Sequence, residues 1–391
     1  MDVDKKKLHF ERKKLSYNFF HLILIFMNLK EYLEDAKNFY NHLIEYLIDT
    51  NYQEGDDQNL YNSFKLNDFN KEETFRYIIH LIANVSYSFQ RNSSVLNKIE
   101  HVIIHLRKII NKYLTNIEIF NIFSKNKKLI LFLIKEKILI IDDNLIQTLQ
   151  EDKYVKLNYL LFFQKEIKLF NQELFDQINV IKTKKFIQIE KMINNNIDEF
   201  EEKRLIGEND NYLCELIRKD LINEFIQYFE NNYIEPPKII PESIFETNRF
   251  LLQKSPTLIE YSTFFNSNKV INYLLSKNDY LTPSLWLYAI HGNNLEMIKN
   301  LEHKMIKPQD KTFQQCLIES IKCHNKELIY FFSKKLNQPI NTYVFSKSIK
   351  YYNFSFFPNN FNDEFIFFTY ANMITSHLLN CFWIHQHLLL I

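Results

Sequence analysis

Residues 282–301, TPSLWLYAIHGNNLEMIKNL, constrain the fold more than any other stretch of the chain. They read as two short helices joined by a tight turn. Thr282 is placed to cap the first helix, and Pro283 suits its first turn, where no backbone N–H is needed. Gly292 can supply the positive φ that closes that helix. Leu285, Ala289 and Ile290 share one apolar face, and Met297, Ile298 and Leu301 share another on the second helix. A unit this short cannot bury both faces alone, so it requires stacked neighbours.

The neighbours are in the sequence. Moving on by 31 residues turns Ala289, Ile290, Glu296, Met297, Ile298 and Leu301 into Ser320, Ile321, Glu327, Leu328, Ile329 and Phe332. Thr312 and Gln315 have the spacing of a capping box at the matching helix start. Moving back by 27 residues, Ser255-Pro256 repeats Thr282-Pro283, and LIEYSTFF (258–265) and KVINYLL (269–275) stand for the two helices. A weaker copy is LCELIRKDLINEFIQYF (213–229), where Phe225 and Ile226 take the Met297 and Ile298 places.

The order Thr-Pro, an inner helix with a small residue, a Gly turn, then Glu-Met-Ile and Leu resembles an ankyrin repeat. More narrowly, ETNRFLLQKSPTLIEYSTFF, LTPSLWLYAIHGNN and CLIESIKCHNKELI resemble the divergent ankyrin-repeat proteins expanded in AT-rich protist genomes of the trichomonad kind. The resemblance covers roughly residues 27–356 and is strongest from 206 to 354. It departs from the family where the TPLH tetrad is TPSL at 282–285, and where the turn glycine is Asn266 in one copy and Cys323 in another. The family implies an all-helical stack without chemistry of its own, hence a scaffold.

Composition narrows the alternatives. Three glycines (Gly55, Gly207, Gly292) stand where an average chain of this length carries about 27. Phosphate-cradling loops, dinucleotide folds and hairpin-rich β domains need glycine where the backbone turns or approaches a ligand, so none is expected. A formal net charge of +1 gives no electrostatic case for nucleic acid. Cys214, Cys316, Cys323 and Cys381 form no C-x-x-C pair, and the first three fall in repeat helices, as small buried thiols do. A reducing, cytoplasmic setting fits this pattern.

Along the chain, an apolar run (17–29) follows a basic N-terminus, without a small-residue cleavage site and with too few residues to span a bilayer. Family-like sequence begins at Met27, so Met27 is expected to be the natural start and residues 1–26 a non-native extension. Residues 27–205 read as a helical region with worn hairpins. Within it, Leu29, Leu33, Ala36, Tyr40, Leu43 and Leu47 keep helical spacing, and helices are expected over 71–90, 94–113, 143–150, 153–171 and 184–203. In the worn copy at 118–142, Lys128, Leu129 and Ile130 stand where Lys269, Val270 and Ile271 stand later. Residues 206–336 hold the ankyrin-like repeats, with Pro236, Pro237 and Pro241 marking a loop. Residues 337–391 are an atypical cap or a truncated repeat. No charge occurs in 365–391, a length that could anchor in a membrane, yet Asn372, His377, Asn380, His385 and His387 would be costly in lipid. A shifted reading frame, a tail anchor and a buried capping helix all account for it.

No residues are assigned to catalysis, cofactor binding or metal binding, and no cofactor is expected. His101 and His105 in HVIIH have the spacing of two imidazoles on one helix face, but Val102 stands where a zinc hydrolase has glutamate. His385 and His387 have no carboxylate partner nearby. His291 is expected to hydrogen-bond within its turn, and Asp142 and Asp143 to cap a helix. Lys182, Lys184 and Lys185 read as solvated surface. Trp286 and Tyr288 bracket Leu287 on the inner helix, where part of their aromatic surface could face a groove. The fold expected is all-α, a helical-hairpin solenoid with ankyrin-like repeats in its C-terminal half. The function expected is a non-catalytic scaffold for protein partners. The alternative is a structural protein tethered to a membrane through 365–391.

Overall fold

The computed structural model of this 391-residue chain describes residues 34, 37–48, 72–89, 93–151, 159–173, 175, 191–192, 195–277, 280–337 and 342–355. It is mostly helical and all-α: no strand occurs among the described residues, only the isolated bridges Asn126–Asn248 and Ile239–Thr257. The chain divides into two compact units, Val85–Phe332 and the pair Met1–Asn84 with Ser333–Ile391.

The first helices in chain order are α1 (Glu72–Ser88), α2 (Ser93–Tyr113), α3 (Asn116–Phe123), α4 (Lys127–Lys135), α5 (Asp143–Glu151), α6 (Gln164–Phe170) and α7 (Ile197–Ile206). Helix pairs follow. They are α8 (Tyr212–Arg218) with α9 (Ile222–Asn231), then, after the short α10 (Arg249–Lys254), α11 (Leu258–Phe265) with α12 (Asn268–Ser276). Next come α13 (Leu285–Gly292) with α14 (Leu295–His303), and α15 (Gln314–Lys322) with α16 (Lys326–Lys335); α17 (Thr342–Lys350) is last. The expected helices over 71–90, 94–113 and 143–150 are α1, α2 and α5. Those over 153–171 and 184–203 fall partly outside the described residues.

Within Val85–Phe332 the first helices of the pairs pack on one another: α11 on α8 and on α13, and α13 on α15. The second helix α9 likewise packs on α12. Leu285, Ala289, Ile290, Met297, Ile298 and Leu301 are buried, as are Ser320, Ile321, Leu328, Ile329 and Phe332. Their apolar spacing at three and four residues is what gives each short helix a continuous face to bury. In the weaker copy Phe225 is buried but Ile226 only partly; Phe229 fills the core instead.

Each pair turns in the same way. The N–H of Leu221, Ser267, Asn294 and Asn325 donates to the carbonyl of Leu216, Ser262, Ala289 and Ser320, five residues back, at 2.8–3.1 Å. The preceding residue (Asp220, Asn266, Asn293 or His324) takes a left-handed φ between 48 and 59°. This is the Schellman helix end, which satisfies orphan carbonyls. Helices α4, α9 and α14 end with the same bond, around Lys137, Tyr233 and Met305.

Gly292 therefore has a different role from the one its turn position suggests. It lacks a positive φ and is the last residue of α13, and Asn293 carries the left-handed turn. A Cβ on Gly292 would lie 2.6 Å from the Phe264 carbonyl oxygen and 2.8 Å from that of Thr263. The glycine is there for close approach of two backbones. The turn registers shift with it: Asn266, Asn293 and His324 correspond, and the glycine position is matched by Phe265 and Cys323.

The caps differ as well. Ser284 occupies the N-cap of α13 without a side-chain bond to the helix, and the Thr282 hydroxyl pairs with the Ser284 hydroxyl at 2.8 Å. Ser255 sits in the left-handed end of α10, and Thr257 caps α11, forming a capping box with Glu260. Thr115 and Glu118 make the same box at α3. At α15, Thr312 and Gln315 form no box; the Gln315 N–H goes to Asp310 at 2.8 Å. Asp142 does cap α5, accepting from the Leu145 N–H at 2.8 Å.

In the other unit, the helical stretch 37–48 buries Phe39, Tyr40, Leu43 and Leu47. Leu29, Leu33 and Ala36 lie outside the described residues. Tyr40 stacks obliquely on Phe354 at 5.9 Å and shares a 2.9 Å hydrogen bond with Ser355; burial pushes its phenol up to about 12. Tyr77 lies 5.5 Å from Tyr352. The end of α17 repeats the turn again, with Tyr352 left-handed and the Asn353 N–H on the Ser348 carbonyl at 2.8 Å.

Candidate functional site

The turns of consecutive pairs are tied by asparagine. Asn266 Nδ2 donates to the Gly292 carbonyl at 2.9 Å, Asn294 Nδ2 to the Thr263 carbonyl at 3.3 Å, and Asn325 Nδ2 to Asn293 Oδ1 at 2.8 Å. Asn268 Nδ2 reaches Glu296 at 2.7 Å. The abundance of Asn thus has structural use, since its short amide tolerates left-handed backbone and caps helices as well. Asn126, Asn196, Asn211, Asn248 and Asn294 each accept from a helix's first-turn N–H.

Trp286 and Tyr288 are core residues, 0% and 3% exposed, and present no groove surface. Trp286 Nε1 donates to the Ile306 carbonyl at 2.8 Å, and its ring packs edge-on against Phe313 and Phe332. Tyr288 packs on Phe250, since aromatic pairs favour this edge contact and an indole N–H seeks an acceptor when buried.

His291 does not stay within its turn. Its Nε2 meets Glu319 on α15 at 2.9 Å, and its ring stacks on Phe250 of α10 at 3.8 Å. Lys322 reaches the other Glu319 oxygen at 2.6 Å. Burial alone would raise the Glu319 pKa, but the hydrogen bond and charge of His291, with Lys322, outweigh it and hold it down to about 2. The arrangement joins three helices and leaves both carboxylate oxygens engaged.

Two more ionisable groups lie deeper. Lys127 and Glu246 are 1% and 5% exposed. Lys127 Nζ donates to the Ile244 carbonyl at 3.1 Å and lies over the rings of Phe162 and Tyr159 at 5.2 and 5.8 Å. Glu246 Oε1 accepts from the Asn248 N–H at 2.8 Å, while Oε2 has no hydrogen-bond partner. Burial pushes the Lys127 ammonium down to about 7 and the Glu246 carboxyl up to about 7. Beside Glu246 is a cavity of about 20 Å³, lined among others by Asn209, Ser243, Pro256 and Tyr261. That is room for one water, far below what a substrate or cofactor needs.

His101 and His105 both face solvent on α2, and no group of three or more His, Cys, Asp or Glu suited to a metal occurs among the described residues. They share that face with Ile104, Lys108 and Lys112, flanked by Arg107, and no acidic residue lies between His101 and Ile117. Cys214 and Cys316 are buried free thiols and Cys323 is partly buried; desolvation raises all three. No helix among the described residues is long and apolar enough to cross a membrane. His385, His387, Cys381, Lys182, Lys184, Lys185, residues 1–26 and the uncharged 365–391 lie outside the described residues.

Compared with protein-family models, curated proteins and solved structures, the chain matches none.

Proposed function

We propose that the chain is a protein-interaction scaffold, a helical-hairpin solenoid whose residues 206–336 are ankyrin-like repeats of the divergent protist kind, working in the cytoplasm. The observation that carries this reading is the recurrence of one turn, five-residue backbone bond and left-handed residue together, in four successive helix pairs whose first helices pack side by side. A stack of like pairs buries its core between neighbours and leaves the loops and one helix face free to vary, an arrangement suited to holding other macromolecules. The buried polar clusters support it too: His291, Glu319, Lys127 and Glu246 each hold helices or loops together. Affinity capture with the full-length chain from an extract of its source cells, read by mass spectrometry, should recover a reproducible protein partner. Capture indistinguishable from an unrelated helical protein would argue against the scaffold.

The second reading, tethering of a structural protein to membranes through 365–391, draws on the absence of charge in that stretch. It requires that the full-length protein stay with membranes through alkaline carbonate extraction.

A further inference from the structure

We infer that the solvent face of α2 is a docking ridge for an acidic protein segment, an inference that rests on the scaffold reading and gives one partner its chemistry. His101, His105, Lys108 and Lys112 follow one another at three- and four-residue spacing, with Ile104 three residues after His101 and four before Lys108, so they line up on one side of the helix over about 16 Å. All are exposed, whereas Val102, Ile103, Leu106 and Ile110 on the opposite side are 0–1% exposed and fix the helix orientation. Arg107 flanks the ridge and is exposed too. From residue 101 to residue 117 the sequence holds three fixed cations and no acid, in a chain whose 48 basic and 47 acidic residues otherwise balance. Among the described residues no carboxylate pairs with Arg107 or Lys108. Among the described residues Lys112 meets the Tyr113 hydroxyl, at 2.9 Å, and the Tyr113 ring. The nearest acid, Glu100, is half-buried at the ridge's start, with Lys128 and Lys135 of α4 and His101 acting on it alongside Glu136.

Clustered uncompensated charge steers an oppositely charged partner and sets its register. Ile104, 46% exposed in the middle of the cations, favours a protein over a phosphate backbone, because it offers an apolar contact that a leucine or methionine would cover. The occupant is therefore an acidic segment with an apolar residue inside its run of carboxylates.

The probe is a fluorescein-labelled peptide of glutamates with a leucine at every fourth position, about 12 residues long to match the ridge, titrated with the full-length protein. Anisotropy should show saturable binding that weakens roughly tenfold when salt is raised from about 50 to 300 mM. Lys108→Glu/Lys112→Glu should lose roughly tenfold or more. Lys299→Glu/Lys304→Glu, on α14 and at its C-cap, with the same change in net charge, should stay within about twofold. Circular dichroism of both variants confirms that the helices persist. Absence of binding, or equal losses in the two variants, overturns the ridge. So does tighter binding of duplex DNA or of vesicles containing phosphatidylserine through the same lysines, which would mean a different class of partner. Failure here with a reproducible partner still captured by Lys108→Glu/Lys112→Glu would leave the scaffold reading standing, and failure of capture alone would leave the ridge.

Discussion

Met305, Tyr233 and Lys137 hold left-handed backbone at φ 54, 50 and 56°, a conformation that costs a β-carbon about 1–2 kcal/mol. A chain with three glycines closes its helices with whatever residue occupies the turn. Met305 is 87% exposed, so its side chain contributes little packing to set against that cost. Met305→Gly should raise stability by about 0.5–1 kcal/mol, less than the full relief because glycine also loosens the unfolded chain. Asn293→Gly should cost no more than about 0.5–1 kcal/mol, since asparagine already tolerates the turn and what is lost is the exposed bond from Asn325. Gly292→Ala should cost about 1–3 kcal/mol, because its methyl would meet two backbone carbonyls that have no rotamer to escape into. Thermal melts of the three variants, read side by side, separate a glycine kept for φ from one kept for space.

At the scale of the element, the caps discriminate between pattern and structure. Thr257 accepts from the Glu260 N–H while Glu260 Oε2 takes the Thr257 N–H at 2.8 Å, and Glu260 Oε1 also accepts from Ser284 at the next pair. Thr257→Ala should therefore cost about 1 kcal/mol, and Thr282→Ala close to nothing, by urea denaturation. The helices themselves were legible in the chain, because apolar residues at three- and four-residue spacing forecast burial wherever a neighbour exists to receive it. The T-x-x-E pattern stands at 115–118 and 257–260, but Ser255-Pro256 and Thr282-Pro283, which read as caps, begin two residues before the N-caps Thr257 and Ser284. The left-handed positions were not legible, since lysine, methionine and tyrosine carry no signal for φ and aspartate and histidine only a weak one. His291 with Glu319 and Lys127 with the Ile244 carbonyl join residues far apart in sequence, so only packing reveals them.

At the scale of the whole molecule, two carboxylates bend the dependence of stability on pH in opposite senses. Glu319 is held at about 2 in the fold against an ordinary 4.5, so its contribution is complete above about pH 4.5 and is lost as pH falls toward 2. Glu246 is raised to about 7, so the fold favours its neutral form; the stability this gives is complete below about pH 4.5 and is lost as pH rises through 7. Glu246→Gln copies the protonated carboxyl. It should leave stability unchanged near pH 4 and add about 1–3 kcal/mol at pH 8, measured by denaturant midpoints across pH. An equal gain at both pH values would mean that the carboxyl is not titrating between them. The contact at Gly292 acts over a longer range. Where α13 ends against α11, carbonyl lies on backbone with no side chain between to yield. A single added carbon there would work as a wedge. The tenths of an ångström it forces at the joint become a tilt, and a tilt displaces each successive helix pair by more than the last.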